Sequence, residues 1–331
     1  MKKHQGYTPN PRFTRLFPKI SGNTVNGLGE AAVRRPSPFF WHPADRHEFG
    51  ALQDEVTAYH RQSPEITAHY SSKAPRGPRP ITQAEVKVEK NAEEWAADLK
   101  QFTLAHEGDL VGITATDPLY VYEGYEIKHP WLILIGVTMD HAEISRLPPT
   151  LENPAAGVEV ARQYNRASRV CRELANHILA QGYQAEAYAG PFAKQLNMIP
   201  AAIAAGLGQL GKHGQMINRT YGSSFRLSAV STDMPLVADA PYDFGSDDFC
   251  LNCKVCSQAC PPGAIYDTKQ MVRGVEKWYV DFDKCIPYFG EALGCGICIA
   301  KCPYSTPGRA PALAEKMLRR REKKLTGSDQ A

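Results

Sequence analysis

Eight of the nine cysteines fall in the last quarter of the chain, in two groups that each end on proline. Cys250, Cys253, Cys256 and Cys260 precede Pro261, and Cys285, Cys295, Cys298 and Cys302 precede Pro303. The first group reads C-x2-C-x2-C-x3-C-P, a spacing that supplies thiolates to iron–sulfur cubanes. Zinc favours two separated pairs and does not use this run. Four soft thiolates per cubane make eight cysteines the complement for two 4Fe–4S clusters. In such two-cluster arrangements the fourth cysteine of each run crosses to the other cluster. That rule assigns Cys250, Cys253, Cys256 and Cys302 to one cluster, and Cys260, Cys285, Cys295 and Cys298 to the other. The long step from Cys285 to Cys295 makes Cys285 the least typical ligand.

Clusters of this kind move single electrons, so the rest of the chain should contain what receives them. The chain has 331 residues, 43% of them hydrophobic, enough for one large core plus a smaller module. A formal charge of +3 gives no basis for nucleic-acid binding. The basic run Arg319–Lys324 reads as the solvated face of a terminal helix. No apolar stretch reaches 18 residues, so no membrane span is expected. The opening MKKHQGYTPNPRF is not a secretory signal, and Arg34–Arg35 is followed by residues too polar for an export core. The thiolates suit a reducing cytoplasm.

Residues 1–85 are rich in Pro, Gly, Arg and His and read as an irregular N-terminal wrap. Residues 92–106 read as a helix, and 110–117 as a strand. The apolar run 131–139 reads as a strand covered on both faces. In the helix expected over 158–181, Val160, Tyr164, Ala167, Cys171, Leu174 and Ile178 share one face, and Gly182 follows as a C′ residue. Cys171 in that stripe reads as a small buried hydrophobe. A helix over 199–205 leads into a glycine-rich loop. A strand over 225–236 places Phe225, Leu227 and Ala229 on one face, with Arg226 and Ser228 on the other. A linker over 237–249 precedes the cysteine module. The expected division is a wrap over 1–85, an α/β core over 86–240 and a ferredoxin-like 4Fe–4S module with a terminal helix over 241–331.

Two motifs mislead. Gly206-Leu-Gly208-Gln-Leu-Gly211 spells a dinucleotide fingerprint, but a helix precedes it and no acid lies about 20 positions on. The run continues to Gly214, and bare backbone there allows something large and flat to approach, or serves as a plain loop. Asp45-Arg46-His47-Glu48-Phe49-Gly50 spells D-x-H-x-x-G, a cobalamin motif, without the companion glycine pair.

Residues 204–236, the cysteine run FCLNCKVCSQACPPGAI at 249–265 and GCGICIAKCPYS at 294–305 together resemble the reductive dehalogenases. LVGITATDP, HPWLILIGVTMDHAEI and the Tyr164 helix are similar to that family too. The resemblance covers roughly residues 90–305, and the epoxyqueuosine reductases share the pattern. It implies a nitroreductase-like core holding base-off cobalamin with no protein ligand to cobalt. Gly206, Gly208, Gly211, Lys212, His213, Gly214 and Met216, with Tyr221, Gly222 and Ser223 of the following turn, are then expected to line the corrinoid. In this family a tyrosine on the long helix donates a proton and a basic residue on the later strand supports it. Tyr164 and Arg226 occupy those places. A cation nearby would favour the tyrosinate, making Tyr164 a competent general acid.

The implied activity is reductive cleavage of a carbon–halogen bond in an organohalide by Co(I) cobalamin, fed by the clusters from a low-potential ferredoxin or flavodoxin-type donor. A homodimer is compatible with the chain. Two alternatives stand beside it. An epoxyqueuosine reductase would want an acid beside the tyrosine, where this chain has Gln163 and Asn165. An iron–sulfur electron carrier would leave the first 240 residues without a task.

Overall fold

The computed structural model describes residues 6–71, 73–190 and 193–326. Four helices lie in the N-terminal segment: α1 (Pro11–Thr14), α2 (Gly22–Val25), α3 (Gly50–His60) and α4 (Pro64–Tyr70). The core comprises α5 (Ala92–Ala105), β1 (Leu110–Ala115), β2 (Trp131–Thr138), α6 (His141–Ile144), α7 (Ala155–Ala180), β3 (Ala185–Ala189), α8 (Met198–Ala204), β4 (Gln209–Leu210), β5 (Met216–Ile217) and β6 (Phe225–Thr232). The cysteine module adds α9 (Ser246–Asn252), α10 (Val255–Ala259), β7 (Gln270–Val272), β8 (Val275–Lys277), α11 (Phe282–Glu291), α12 (Ile297–Ala300) and α13 (Arg309–Leu325).

A four-stranded antiparallel sheet, ordered β1-β2-β6-β3, forms the centre. β2 is an inner strand, and its residues 132–137 are all buried, as its unbroken apolar run requires. Alternation along the strands builds two cores. Ile113, Ile133, Ile135 and Val230 meet Trp95 and Leu99 of α5 and Ala167, Val170, Cys171, Leu174 and Ile178 of α7. On the opposite face Leu132, Leu134, Phe225 and Ala229 meet Ala201 and Ala202 of α8 and Met216 of β5. A capping box between Asn91 and Glu94 starts α5, and Gly182, at φ +84°, ends the turn after α7. Cys171 is fully buried, its thiol donating to the Ser168 carbonyl at 3.3 Å, and burial pushes its pKa up to about 12. It is a core residue.

The N-terminal segment is more ordered than its composition suggests. Ser63 caps α4, with Pro64 at the first helical position. Leu52 and Val56 of α3, one turn apart, pack with Phe13, Phe40, Phe49 and Ile286 of α11 in a separate core. The expected wrap therefore contains short helices between irregular stretches; α3 takes Ile286 of the cysteine module as a partner, and Ile66 of α4 packs beside Gly157 of α7. Arg34 and Arg35 are latches: Arg34 pairs with Glu30 at 2.6 Å, and Arg35 donates to the carbonyls of Val121 at 2.9 Å and Tyr125 at 2.6 Å.

At the other end, Phe244, Cys250, Trp278, Cys302, Tyr304, Ala310 and Ala314 form a third core, which seats α13. Arg321 in the basic run pairs with Asp243 at 2.8 Å and Asp248 at 2.5 Å, so one face of that run is tied down. Among the described residues no helix is long and apolar enough to cross a membrane.

Candidate active site

A cavity of about 1370 Å³ lies where the three segments meet. This exceeds the usual range for small-molecule pockets, roughly 300–1,000 Å³. Its walls come from α3 and α4, from Val160 and Tyr164 of α7, from Arg226 of β6, and from Leu210 and His213–Gln215 of the hairpin. The cysteine module closes it with Cys260, Cys285, Cys295, Cys298, Ile265, Ile297 and Ile299.

Tyr164 and Arg226 face each other here. The Arg226 guanidinium lies over the Tyr164 ring, 5.2 Å from its centroid, as a cation does over an aromatic face. No hydrogen bond joins the two among the described residues. Arg226 makes no ion pair there either, and its Nε is buried without a partner. The guanidinium is therefore not a structural counter-charge. His60 Nε2 and His42 Nδ1, from cavity-lining residues, are also buried and unpaired. Buried polar atoms without partners are uncommon in native proteins, and a ligand in the cavity would satisfy them.

Tyr70 also borders the cavity and senses both Tyr164 and Arg226, and burial pushes its phenol pKa up. Asn165, beside Tyr164, holds the end of α4 in place by donating to the His69 carbonyl at 3.0 Å. Gln163, on the other side, donates to buried Glu159 at 2.9 Å. Neither neighbour supplies an acid to the cavity, where Asp54 is the lining carboxylate among the described residues. Reading the N-terminal segment as irregular hid Tyr70, His60 and Trp41. The signal was present in the Ser63-Pro64-Glu65 helix start and the Leu52–Val56 step.

The cysteines gather as two sets. Cys250, Cys253, Cys256 and Cys302 interact electrostatically with one another, as do Cys260, Cys285, Cys295 and Cys298. Cys256 and Cys298 interact across the sets. Burial first, and neighbouring thiols second, push Cys256, Cys302 and Cys285 up to about 12. Burial raises Cys250 and Cys295 to about 11. Thiolates persist in such surroundings only when a metal centre replaces their protons. Among the described residues no three His, Cys, Asp or Glu side chains converge as a single ion needs. The two sets differ in position: the Cys260 set lines the cavity, and the Cys250 set does not.

The glycine-rich run lies differently from expectation. Of its residues and the following turn, Leu210, His213, Gly214 and Gln215 line the cavity. Gly206, Gly208, Gly211, Lys212, Met216, Tyr221, Gly222 and Ser223 do not. A Cβ on Gly208 would lie 2.3 Å from the Ile217 carbonyl, so closure of the β4–β5 hairpin explains that glycine. Gly222, at φ +62°, would meet the Tyr304 carbonyl at 2.1 Å and seats the core against the cysteine module. Met216 is in the sheet core, and Tyr221 is exposed. Ser223 lies 3.1 Å from His213 Nε2, while His213 Nδ1 accepts from the Gln215 amide at 3.2 Å. With both ring nitrogens engaged and the ring buried, His213 is neutral, its pKa lowered to about 4 by burial. His47 lies off the cavity and approaches the His42 carbonyl at 3.4 Å.

Residues 249–306 match a family described as "4Fe-4S dicluster domain". The sequence is 34% identical over 184 residues to the tetrachloroethene reductive dehalogenase of Sulfurospirillum multivorans, covering 53% of this chain and 35% of that protein. It is 28% identical over 208 residues to the epoxyqueuosine reductase of Escherichia coli (strain K12), covering 55% of this chain and 50% of that one. The fold matches the catabolic reductive dehalogenase NpRdhA in complex with 3-bromo-4-hydroxybenzoic acid at a TM-score of 0.74 and 21% identity, over 95% of this chain and 48% of that one. The chain thus spans half or less of the length of these proteins. The chain is similar in sequence to reductive dehalogenases over about half its length, shares the fold of one of them, and carries a match to a 4Fe–4S dicluster domain.

Proposed function

We propose that the chain is a reductive dehalogenase that uses cobalamin and two 4Fe–4S clusters. One observation carries this reading. A single cavity, too large for an ordinary substrate alone, has the Tyr164–Arg226 pair on one wall and a complete set of four cysteines on another. Its volume, apolar walls and unpaired buried polar atoms fit a corrin ring. On this reading the core is nitroreductase-like, and His213, Gly214 and Leu210 border the ring.

Cys260, Cys285, Cys295 and Cys298 would hold the cluster facing the cavity. Cys250, Cys253, Cys256 and Cys302 would hold the one behind it. One-electron transfer is what these clusters supply. Bound in the cavity, cobalamin supplies reductive carbon–halogen cleavage. Two electrons and one proton convert the organohalide to the hydrocarbon and free halide, and a low-potential ferredoxin or flavodoxin-type donor provides the electrons.

The chain's own residues do the remaining work. Tyr164 Oη holds the proton that the carbon receives. Arg226 keeps a positive charge over the tyrosine ring and has an Nε–H free for a substrate or leaving anion. Ile265, Ile297 and Ile299 keep water from the wall between cluster and cavity. Of the cavity histidines, His213 has both ring nitrogens occupied and offers none to a metal.

The test is anaerobic holoprotein loaded with iron, sulfide and cobalamin, supplied with a reduced low-potential donor and a panel of bromo- and chlorophenols. Halide release that requires cobalamin is expected. Stoichiometric corrinoid binding without halide release from any member of the panel would overturn the dehalogenase reading.

A further inference from the structure

Among the described residues, Lys212 is the one buried lysine or arginine, at 1% exposure. A buried ammonium is costly unless its surroundings compensate it. The compensation visible around Lys212 is thin. Its Nζ donates one hydrogen bond, to the neutral carbonyl of Cys253 at 2.8 Å. Its nearest carboxylate, Asp267, is 3.8 Å away and 47% exposed. That carboxylate is shared: it accepts from Ser257 at 2.7 Å and pairs with Lys254 at 3.5 Å. The face of Trp278 lies 5.0 Å from the ammonium, but that ring is shared with Lys269 at 5.7 Å. What remains close is the first cysteine set, since the Lys212 charge acts on both Cys250 and Cys256.

We propose that Lys212 is a positioning residue for electron entry. Its buried charge raises the reduction potential of the cluster held by Cys250, Cys253, Cys256 and Cys302. Adding one electron makes that cluster more negative by one unit. A cation fixed against the ligand loop, in a region of low dielectric, stabilises the reduced form more than the oxidised form. The electron comes from the same low-potential donor. The other set, lining the cavity, has no comparable buried cation among the described residues, so the charge separates the two potentials. This placement also accounts for Lys212 being turned away from the cavity that its neighbours His213 and Gly214 border. The inference rests on the cluster assignment above and does not depend on the dehalogenase reading.

The experiment is a redox titration of the iron- and sulfide-loaded full chain, followed by electron paramagnetic resonance, without cobalamin or substrate. The two cluster waves are assigned with Cys250→Ser. Lys212→Met should lower the wave of the Cys250 set by about tenfold in its reduction equilibrium, about 59 mV for one electron, and leave the other wave nearly in place. Lys212→Arg, which keeps the charge, should stay within about threefold of the unmodified protein. Unchanged potentials in a Lys212→Met protein that retains its iron would overturn the proposal, as would a fall in Lys212→Arg equal to that in Lys212→Met. If Lys212→Met loses the cluster, Asp267→Asn decides. Removing that partly exposed carboxylate should raise the same wave, and no rise would overturn the proposal. Halide release plays no part in the measurement, so a chain without dehalogenase activity tests it equally well.

Discussion

The sheet and the cysteine module are stabilised in opposite ways. In the sheet, β2 buries six consecutive apolar residues between two helical layers, and every strand pair follows a continuous antiparallel register. Residues between Trp95 and Val237 supply that core. In the module the helices run from 4 to 10 residues before α13, too short to persist alone. Their partners come from the far end of the chain: Ser21 bonds Asp283 at a separation of 262 positions, and Asn23 donates to Asp281 at 2.8 Å. Four of the eight cysteines line the cavity, so this weakly self-supported module shares its walls with Tyr164 and Arg226 of the sheet region. The lesson is that the N-terminal helices brace the module and wall the same cavity as its cysteines.

That contrast can be broken in graded steps. The largest effect is expected from Cys298→Ser. It should cost about half the bound iron, by the four-ligands-per-cluster arithmetic, and reduce halide release to background, measured by iron analysis and ion chromatography. Retention of both clusters would mean that Cys298 is not a ligand. Next, Tyr164→Phe should lower halide release about 10²–10⁴-fold while iron content and corrinoid binding stay unchanged. Near-normal turnover would place the proton donor elsewhere.

A paired substitution then separates the two halves. Leu52→Ala and Ile133→Ala each remove a fully buried side chain and should each cost about 2–5 kcal/mol, read by denaturant unfolding. Only Leu52→Ala, on the core shared with α11, should also speed iron loss to a chelator under native conditions. Equal chelation rates would show that the N-terminal helices do not brace the module.

The smallest effect is a pH dependence. His213 titrates near 4 in the folded chain, against roughly 6.5 when unfolded. As pH falls below about 6.5, the unfolded chain takes up the proton first, so stability is lost between about 6.5 and 4. The loss approaches about 2–3 kcal/mol at the lower end. His213→Gln should lack this component, so the stability curves of variant and parent should diverge in slope across that window. Parallel curves would mean that the ring is not held neutral.

Residue spacing made the cysteine grouping and the faces carrying Tyr164 and Arg226 legible, while their pairing as a site came from the family resemblance. The cysteine runs, the Tyr164 stripe and the two faces of the 225–236 strand follow from local covalent geometry, and the structure keeps Tyr164 and Arg226 within one cation–ring contact. The glycine-rich run was legible as a loop but not in its purpose. Its glycines serve a hairpin and a docking contact with Tyr304, and a bare backbone permits either use equally. Within residues 1–85, α3 and α4 were missed because Leu52, Val56 and Ile66 are sparse in a polar stretch, and their burial depends on partners near residues 157 and 286.

The chain's letters alone determined the number of thiolates, their grouping by run, and the helices and strands that carry Tyr164 and Arg226, because each depends on neighbours a few positions away. Only the tertiary structure decided which cysteine set meets the cavity, that α3 and α4 close it, and that Lys212 sits behind Cys253. Those outcomes are set by packing between segments distant in the chain, 41 positions apart for Lys212 and Cys253, and no local pattern encodes which face of one meets which face of another.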